Sequence, residues 1–290
     1  MVDGKPLIIV LYVDDLILTG DDQLIQYCKE DLAREFEMKD MGLMHYFLGM
    51  EVWQKDGEVF VSQGKYANEI LRHFHMEKCK PMQTPLARNW RKEDATSSEV
   101  VATTIYRQLV GSLMYLVKTQ PDLCFAVNQL SQAMVQPTKL FWKVAKNVLR
   151  YLRGTTQYGL WYRRTEGVKL QGFTNADWAG SPSNRKSTSG GIFNLGSTAV
   201  SWYSRKQRSV ALSSTKAEYM AASQAACEAI WMQKILVRLF GQMIDPTMIY
   251  CDNQSCIKLS ENPMFHDRSK HIDIHYHHLW DCVVKRIMML

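Results

Sequence analysis

The sequence has no apolar run long enough to cross a bilayer, no CxxC pair, no internal repeat and no low-complexity tract. The first absence excludes a helical membrane protein. The opening Met1-Val2-Asp3-Gly4-Lys5 has none of the features of a secretory signal. Without CxxC pairs, the seven cysteines (28, 79, 124, 227, 251, 256 and 282) fit neither a disulfide framework nor the common zinc spacings. An intracellular, reducing setting and no membrane partner are expected. Charge of one sign is missing from two long stretches. Residues 123–165 hold seven bases and no acid, and residues 178–217 hold six bases and no acid. Residues 1–60, in contrast, carry thirteen acids against five bases. The net charge is only +6, so the segregation of charge is more informative than its sum. It points to a polyanionic partner, nucleic acid first, with a plain solvated basic surface as the competing explanation.

The chain has 290 residues, 46% of them apolar and 22% charged, which is ordinary globular composition sized for two domains and a small connecting one. Apolar runs at 7–12 and 16–19 flank Val13-Asp14-Asp15 and read as a hairpin. A helix with acids near its start follows to about residue 37. Strands are expected at 46–52 and 58–61, a helix at 65–75, and a polar, proline-bearing linker at 81–98. Three helices are expected at 105–118, 121–135 and 138–153. Strands at 159–162, 168–174, 191–195 and 199–203 precede a long helix at 214–240. A strand at 248–251 and helices at 254–261 and 272–285 complete an α/β pattern.

Tyr12-Val13-Asp14-Asp15 lies at the hairpin tip. Adjacent acids between strongly apolar strands are costly unless something neutralises them, as a divalent cation would. An ordinary acidic turn is the alternative. YxDD on a hairpin, followed by Tyr46-Phe47-Leu48-Gly49-Met50-Glu51-Val52, resembles the reverse transcriptase of copia-type LTR retrotransposons. The resemblance implies metal-binding catalytic roles for Asp14 and Asp15.

Lys139, Lys143, Lys146, Arg150 and Arg153 are spaced 4, 3, 4 and 3 and so share one helix face, about 20 Å long at 1.5 Å per residue. Such a stripe can follow a phosphate backbone. A solvated helix face is the competing explanation, weakened by the absence of acids. In the family this region resembles the thumb or connection that grips the template–primer duplex.

A third set of motifs comprises Gly172-Phe173-Thr174-Asn175-Ala176-Asp177-Trp178-Ala179-Gly180, Arg185-Lys186-Ser187-Thr188-Ser189-Gly190-Gly191, Ala211–Tyr219, Ile249-Tyr250-Cys251-Asp252-Asn253 and Ser269–Ile274. In order and interval these resemble the ribonuclease H domain of copia-type Pol polyproteins, and the likeness covers nearly the whole chain. Two-metal phosphodiester hydrolysis needs about four carboxylates around cations roughly 3.5–4 Å apart. The resemblance assigns Glu218 and Asp252 to two of those places. Each has a local alternative: Glu218 in a Thr215-x-x-Glu218 capping box, and Asp252 as a helix N-cap.

Two departures stand out. The family's Asp-Ala-Asp-Trp-Ala reads Asn-Ala-Asp-Trp-Ala here, so the place of a ligand Asp is taken by Asn175, with Asp177 two residues on as a partial substitute on the same strand face. The resemblance also implies a chain cut at both ends, without the first palm Asp and without a final strand and helix bearing the fourth carboxylate. His271 and His275, with Cys251 and Cys256, raise a zinc site, which the loose cysteine spacing argues against.

The expected architecture is the end of a reverse-transcriptase palm over 1–85, a helical thumb/connection over 86–165, and an RNase H-like mixed sheet with helices over 166–290. The expected function is that of a retrotransposon RNA-directed DNA polymerase and ribonuclease H, not competent as this chain alone. The alternative is a non-catalytic nucleic-acid-binding protein derived from the element. Mg²⁺, an RNA–DNA hybrid or duplex, and the missing polyprotein parts are the implied cofactor and partners. The implied location is the cytoplasm, in a virus-like particle, or the nucleus.

Overall fold

The computed structural model describes residues 4–87, 90, 99–165, 167, 169–181, 184–241, 245–261 and 277–290. Most of the expected linker beyond residue 87, the Ser269–Ile274 motif, His271, His275 and the first part of the expected last helix lie outside the described residues. The chain divides into two compact units, one of residues 1–44 with 230–245 and one of residues 45–229 with 246–290.

In the first unit, β1 (Leu7–Tyr12) and β2 (Asp15–Gly20) pair antiparallel from Leu7↔Gly20 to Tyr12↔Asp15 around a two-residue turn. That is the expected hairpin. Helix α1 (Asp22–Glu35) starts where Asp21 accepts from the N–H groups of Gln23 and Leu24 at 3.2 and 3.3 Å. The carboxylate satisfies donors that a helix start leaves unpaired, and Lys5 pairs with it at 3.1 Å. The unit buries little: Ile9, Leu11 and Tyr27 are all at least half exposed, and α1 has no buried residue.

The second unit has two sheets and a helical cluster. A single strand is expected over 46–52, but the chain turns at Leu48-Gly49, both at positive φ (48° and 71°). The result is β3 (Tyr46–Phe47) paired with β4 (Met50–Lys55). The Tyr115 hydroxyl donates to the Leu48 carbonyl, and a Cβ at position 49 would lie 2.6 Å from that hydroxyl. Only glycine fits there. Next, β5 (Glu58–Ser62) pairs with β4 on one side and with β6 (Gly159–Arg163) on the other. Strand β6, expected at 159–162, thus ties the end of the stretch 86–165 to the sheet built by residues 46–62. The physical reason is a cross-strand aromatic row, Trp53↔Phe60↔Trp161, in which Trp161 packs 5.4 Å from Phe60 and 6.1 Å from Trp53.

Helices α2 (Gly64–His73), α3 (Thr103–Leu116), α4 (Cys124–Ser131) and α5 (Lys139–Thr155) enclose the main core. Tyr106, Leu109, Leu113, Leu116, Leu149 and Leu152 are fully buried in it. A 3₁₀ turn, Pro121–Leu123, opens α4, with proline where its missing N–H costs nothing. The helix expected over 121–135 stops at Ser131, whose hydroxyl bonds back to the Asn128 carbonyl at 2.8 Å. Pro137 then disfavours helical geometry at the residue before it.

The second sheet is mixed, with order β11-β10-β7-β8-β9. Strands β7 (Leu170–Asp177), β8 (Thr188–Leu195) and β9 (Thr198–Lys206) form an antiparallel meander. Strand β10 (Thr247–Cys251) runs parallel to β7, and β11 (Met288–Met289) parallel to β10. The α/β class and the mixed sheet are as expected. The fifth strand, expected to be missing, is present as a two-residue β11. The long helix α6 (Ser214–Phe240), of which residues 214–229 belong to this unit, α7 (Gln254–Glu261) and α8 (His277–Val284) complete the set.

The contrast in burial predicts a contrast in stability. Leu113→Ala should cost about 2–5 kcal/mol, the range for a buried leucine replaced in a close-packed core. Leu11→Ala, at a side chain 70% exposed, should change stability by no more than about 0.5 kcal/mol. Urea unfolding followed by far-ultraviolet circular dichroism measures both.

Candidate metal centre

Three elements bring side chains together at one end of the mixed sheet. Strand β7 ends through Asn175, Ala176 and Asp177, α6 carries Glu218 near its start, and β10 leads into Asp252. Parallel pairing sets Cys251 opposite Thr174, so the residues that follow them, Asp252 and Asn175, become neighbours. Asn175 Nδ2 lies 3.4 Å from Asp252 Oδ2, a long hydrogen bond. Glu218 Oε1 accepts from the Ala176 N–H at 2.9 Å.

Both local alternatives fall away. Ser213, not Thr215, caps α6, its hydroxyl accepting from the Lys216 N–H at 3.1 Å. Asn253, not Asp252, caps α7, accepting from the Cys256 N–H at 2.9 Å. Neither Glu218 nor Asp252 is used up by the start of its own helix.

Glu218 is 7% exposed, and its Oε2 is buried with no hydrogen-bond partner. Burial pushes its carboxyl pKa up, the Ala176 N–H opposes that, and the Asp252 charge adds to the rise. One ligand atom from each of Glu218, Cys251 and Asp252 lies within 4.8 Å of the others. An orphaned buried carboxylate oxygen beside a second carboxylate and a thiol is a donor set that suits a divalent cation. Asp177 is not in this group, so the β7 residue facing Asp252 is Asn175. The sequence raises Cys251 only in a zinc set with Cys256, His271 and His275; the structure places its sulfur instead beside Glu218 and Asp252. It comes into reach only because β10 ends against α6. Cys256, fully buried, hydrogen-bonds to Cys251, which favours thiolate at Cys251 against burial and pushes the Cys256 thiol up.

The other expected site residues are placed differently. Asp14 and Asp15 are both exposed at the hairpin turn, so the desolvation that would demand a cation is absent. Among the described residues no third acidic, histidine or cysteine side chain joins them at ligand distance. Val13, a β-branched residue, holds φ of 52° in the turn, a strained position.

The basic stripe does lie on one face of α5, but much of it is engaged within the fold. Lys139 pairs with Glu99, and Lys146 Nζ sits 5.6 Å over the Trp142 ring. Arg150 and Arg153 donate through Nε to the carbonyls of Lys80 and Glu77 at 2.8 and 2.6 Å. Their first role is to fasten the 77–82 segment to the helix. The spacing alone shows which residues share a face and not what lies over it.

A cleft of about 770 Å³ adjoins the acids. Phe125, Phe173, Ile192, Trp202 and Tyr250 line it together with Asn175 and Asp252. Phe173 and Tyr250 are stacked, with centroids 4.9 Å apart.

A family model for reverse transcriptase (RNA-dependent DNA polymerase) matches residues 1–88. The chain is 39% identical to the retrovirus-related Pol polyprotein from transposon RE2 of Arabidopsis thaliana, over 94% of this chain and 19% of that protein. It is 40% identical to the Pol polyprotein from transposon TNT 1-94 of Nicotiana tabacum, over 96% of this chain and 22% of that protein. An uncharacterized mitochondrial protein of Arabidopsis thaliana is 39% identical, over 77% of this chain and 93% of its own length. The chain belongs to the family of retrotransposon Pol-derived proteins, with its reverse transcriptase match confined to residues 1–88. It spans about a fifth of the length of the transposon polyproteins it matches.

The raised Glu218 pKa has a definite sign in stability. An acid whose folded pKa lies above its unfolded value stabilises the fold below the unfolded value, and that contribution is lost as pH rises through the folded one. Glu218→Gln should therefore remove part of the stability lost between mildly acidic and neutral pH. Denaturant midpoints measured across that range for both proteins, in chelator, give the difference curve. A flat difference curve would contradict the burial of Glu218.

Proposed function

We propose that the chain carries the end of an RNA-directed DNA polymerase palm and a ribonuclease H-like domain of a retrotransposon Pol polyprotein. In this chain the second domain binds an RNA–DNA hybrid but does not hydrolyse it. The observation that carries this reading is the convergence of Asn175, Glu218 and Asp252, with the neutral amide among them. Glu218 and Asp252 would hold a divalent cation, Mg²⁺ by the family resemblance, which when bound neutralises phosphate charge and lowers the pKa of a water.

Asn175 offers one neutral oxygen where a carboxylate would add a charge, so the pull on a second cation is weakest at that place. Glu218, held by the Ala176 N–H, keeps its orientation without the cation. The aromatic cleft beside the acids supports a nucleic-acid partner, since bases stack on exposed rings. The acid-free basic stretches add a sequence-independent attraction. For the polymerase half, Asp14 and Asp15 alone do not make a two-metal centre, so primer extension is not part of the proposed activity.

The test is a cleavage assay on a labelled RNA–DNA hybrid in Mg²⁺ and in Mn²⁺. No metal-dependent cleavage is expected from the chain as it stands, alongside measurable hybrid binding. Cleavage that disappears in Glu218→Gln would overturn the non-hydrolytic part of the proposal, and failure to bind hybrid at low salt would overturn the rest.

Binding has its own signature. Replacing Lys143 and Lys146 by glutamine should reduce the slope of log K against log salt by up to roughly 2, at about 0.9 per phosphate interaction removed. Arg150→Ala should instead lower the melting temperature, because that side chain holds the Lys80 carbonyl.

A further inference from the structure

The centre differs from an all-carboxylate one in two ways that act together. At position 175 a charged oxygen donor is replaced by an amide, and at position 251 a sulfur lies within 4.8 Å of the donor oxygens of both Glu218 and Asp252. Donors bound to one ion through bonds of roughly 2.0–2.3 Å lie no more than about 4.6 Å apart, so side chains already within 4.8 Å of one another need only small rotamer adjustments to share an ion. The second, independent observation is Glu218 itself, which is buried to all but 7% of its surface, with Oε2 partnerless at the same place. A buried acceptor left unpaired is costly and points to a cation as its partner.

Donor chemistry then decides which cation the centre takes. Mg²⁺ takes oxygen ligands in near-octahedral geometry and has little use for sulfur. Thiolate selects softer ions, and one sulfur with two carboxylate oxygens leaves a fourth position for water, as in open zinc sites. We propose that Cys251 is a third ligand of the Glu218–Asp252 centre and that the centre takes a thiophilic divalent cation, Zn²⁺ or Cd²⁺, in preference to Mg²⁺. This rests on the reading of Glu218 and Asp252 as cation ligands.

The experiment is a titration of the full chain with Cd²⁺, read by the ultraviolet sulfur-to-cadmium charge-transfer band, with Mn²⁺ binding followed in parallel by electron paramagnetic resonance. The other six cysteines are handled by difference, with Cys251→Ser, Glu218→Gln and Cys28→Ser measured beside the wild type. The tightest Cd²⁺ site should disappear in Cys251→Ser, with affinity falling by roughly tenfold or more, at least what the loss of a ligand-orienting group costs. Glu218→Gln should weaken the same site, and Cys28→Ser should leave it unchanged. Mn²⁺ binding should survive in Cys251→Ser. Thermal melts of every variant separate loss of the site from loss of the fold, and Cys251→Ala serves if the serine variant melts early.

If Mn²⁺ binds through Glu218 and Asp252 but the Cd²⁺ band is the same with and without Cys251, the sulfur ligand is refuted while the cation centre stands. If neither ion binds and Glu218→Gln changes nothing, the centre itself is refuted. Mg²⁺ displacing Cd²⁺ at equal concentration would overturn the preference.

Discussion

The hydrogen bond from the Ala176 N–H to Glu218 Oε1 requires the start of α6 to lie directly against the backbone of β7. That close seat governs the second unit. It is possible because the packed face of α6 is built from alanine: Ala217, Ala221, Ala222, Ala225, Ala226 and Ala229 are all buried. Ala217 and Met220 pack with Ala211 and Ala176. Two further clamps fix the helix to the sheet. Gln207 donates to Ser189 Oγ and to the Ala217 carbonyl, and Ser201 donates to Glu228. Within the sheet the spacing is equally tight, since a Cβ on Gly191 would meet the Tyr203 ring at 2.5 Å. Larger residues on the alanine face would lift the helix, and the hydrogen bond between Ala176 and Glu218 would break first.

The geometry carries an electrostatic cost that the sequence handles in a particular way. Burying a carboxylate disfavours its charged form, and a second carboxylate nearby adds to that. A third, at position 175, would add further repulsion whenever no cation is present. Asn175 removes that charge and donates to Asp252 instead of repelling it. The substitution therefore makes the metal-free chain easier to fold while it weakens the pull on cations. This is the familiar opposition between stability and a strained functional site.

Much of this was legible in the sequence because it is local. Helix α6 and helix α7 begin and end where periodicity and turn residues put them, and the YVDD hairpin follows from two apolar runs around a short polar turn. The convergence of 175, 218 and 252 was legible only through family resemblance, because nothing local links positions so far apart in the chain. What could not be read is non-local in a stricter sense. The turn at Leu48-Gly49 depends on the Tyr115 hydroxyl, β6 joins β5 across almost a hundred residues, and Arg150 and Arg153 are occupied by carbonyls some seventy residues upstream. Helical spacing identified the face these arginines share, but the segment lying over it is fixed by tertiary packing.

The acids of this chain differ in what their presence means. Glu218 is bound into the fold: it holds β7 to α6, so a chain with no remaining chemistry would still have a structural reason for a hydrogen-bond acceptor there. Asp14 and Asp15 are exposed in a turn, where aspartate is at home for purely local reasons. Asp252 has neither excuse. It is exposed, it does not cap the helix that follows because Asn253 does, and the hydrogen bond it accepts from Asn175 is long. An aspartate so weakly tied to the fold, held beside a buried carboxylate with a partnerless oxygen, increases repulsion and offers no packing in return. The interaction that would offset that cost is with a cation, which makes Asp252, more than Glu218, the residue on which a metal-binding role for this centre rests.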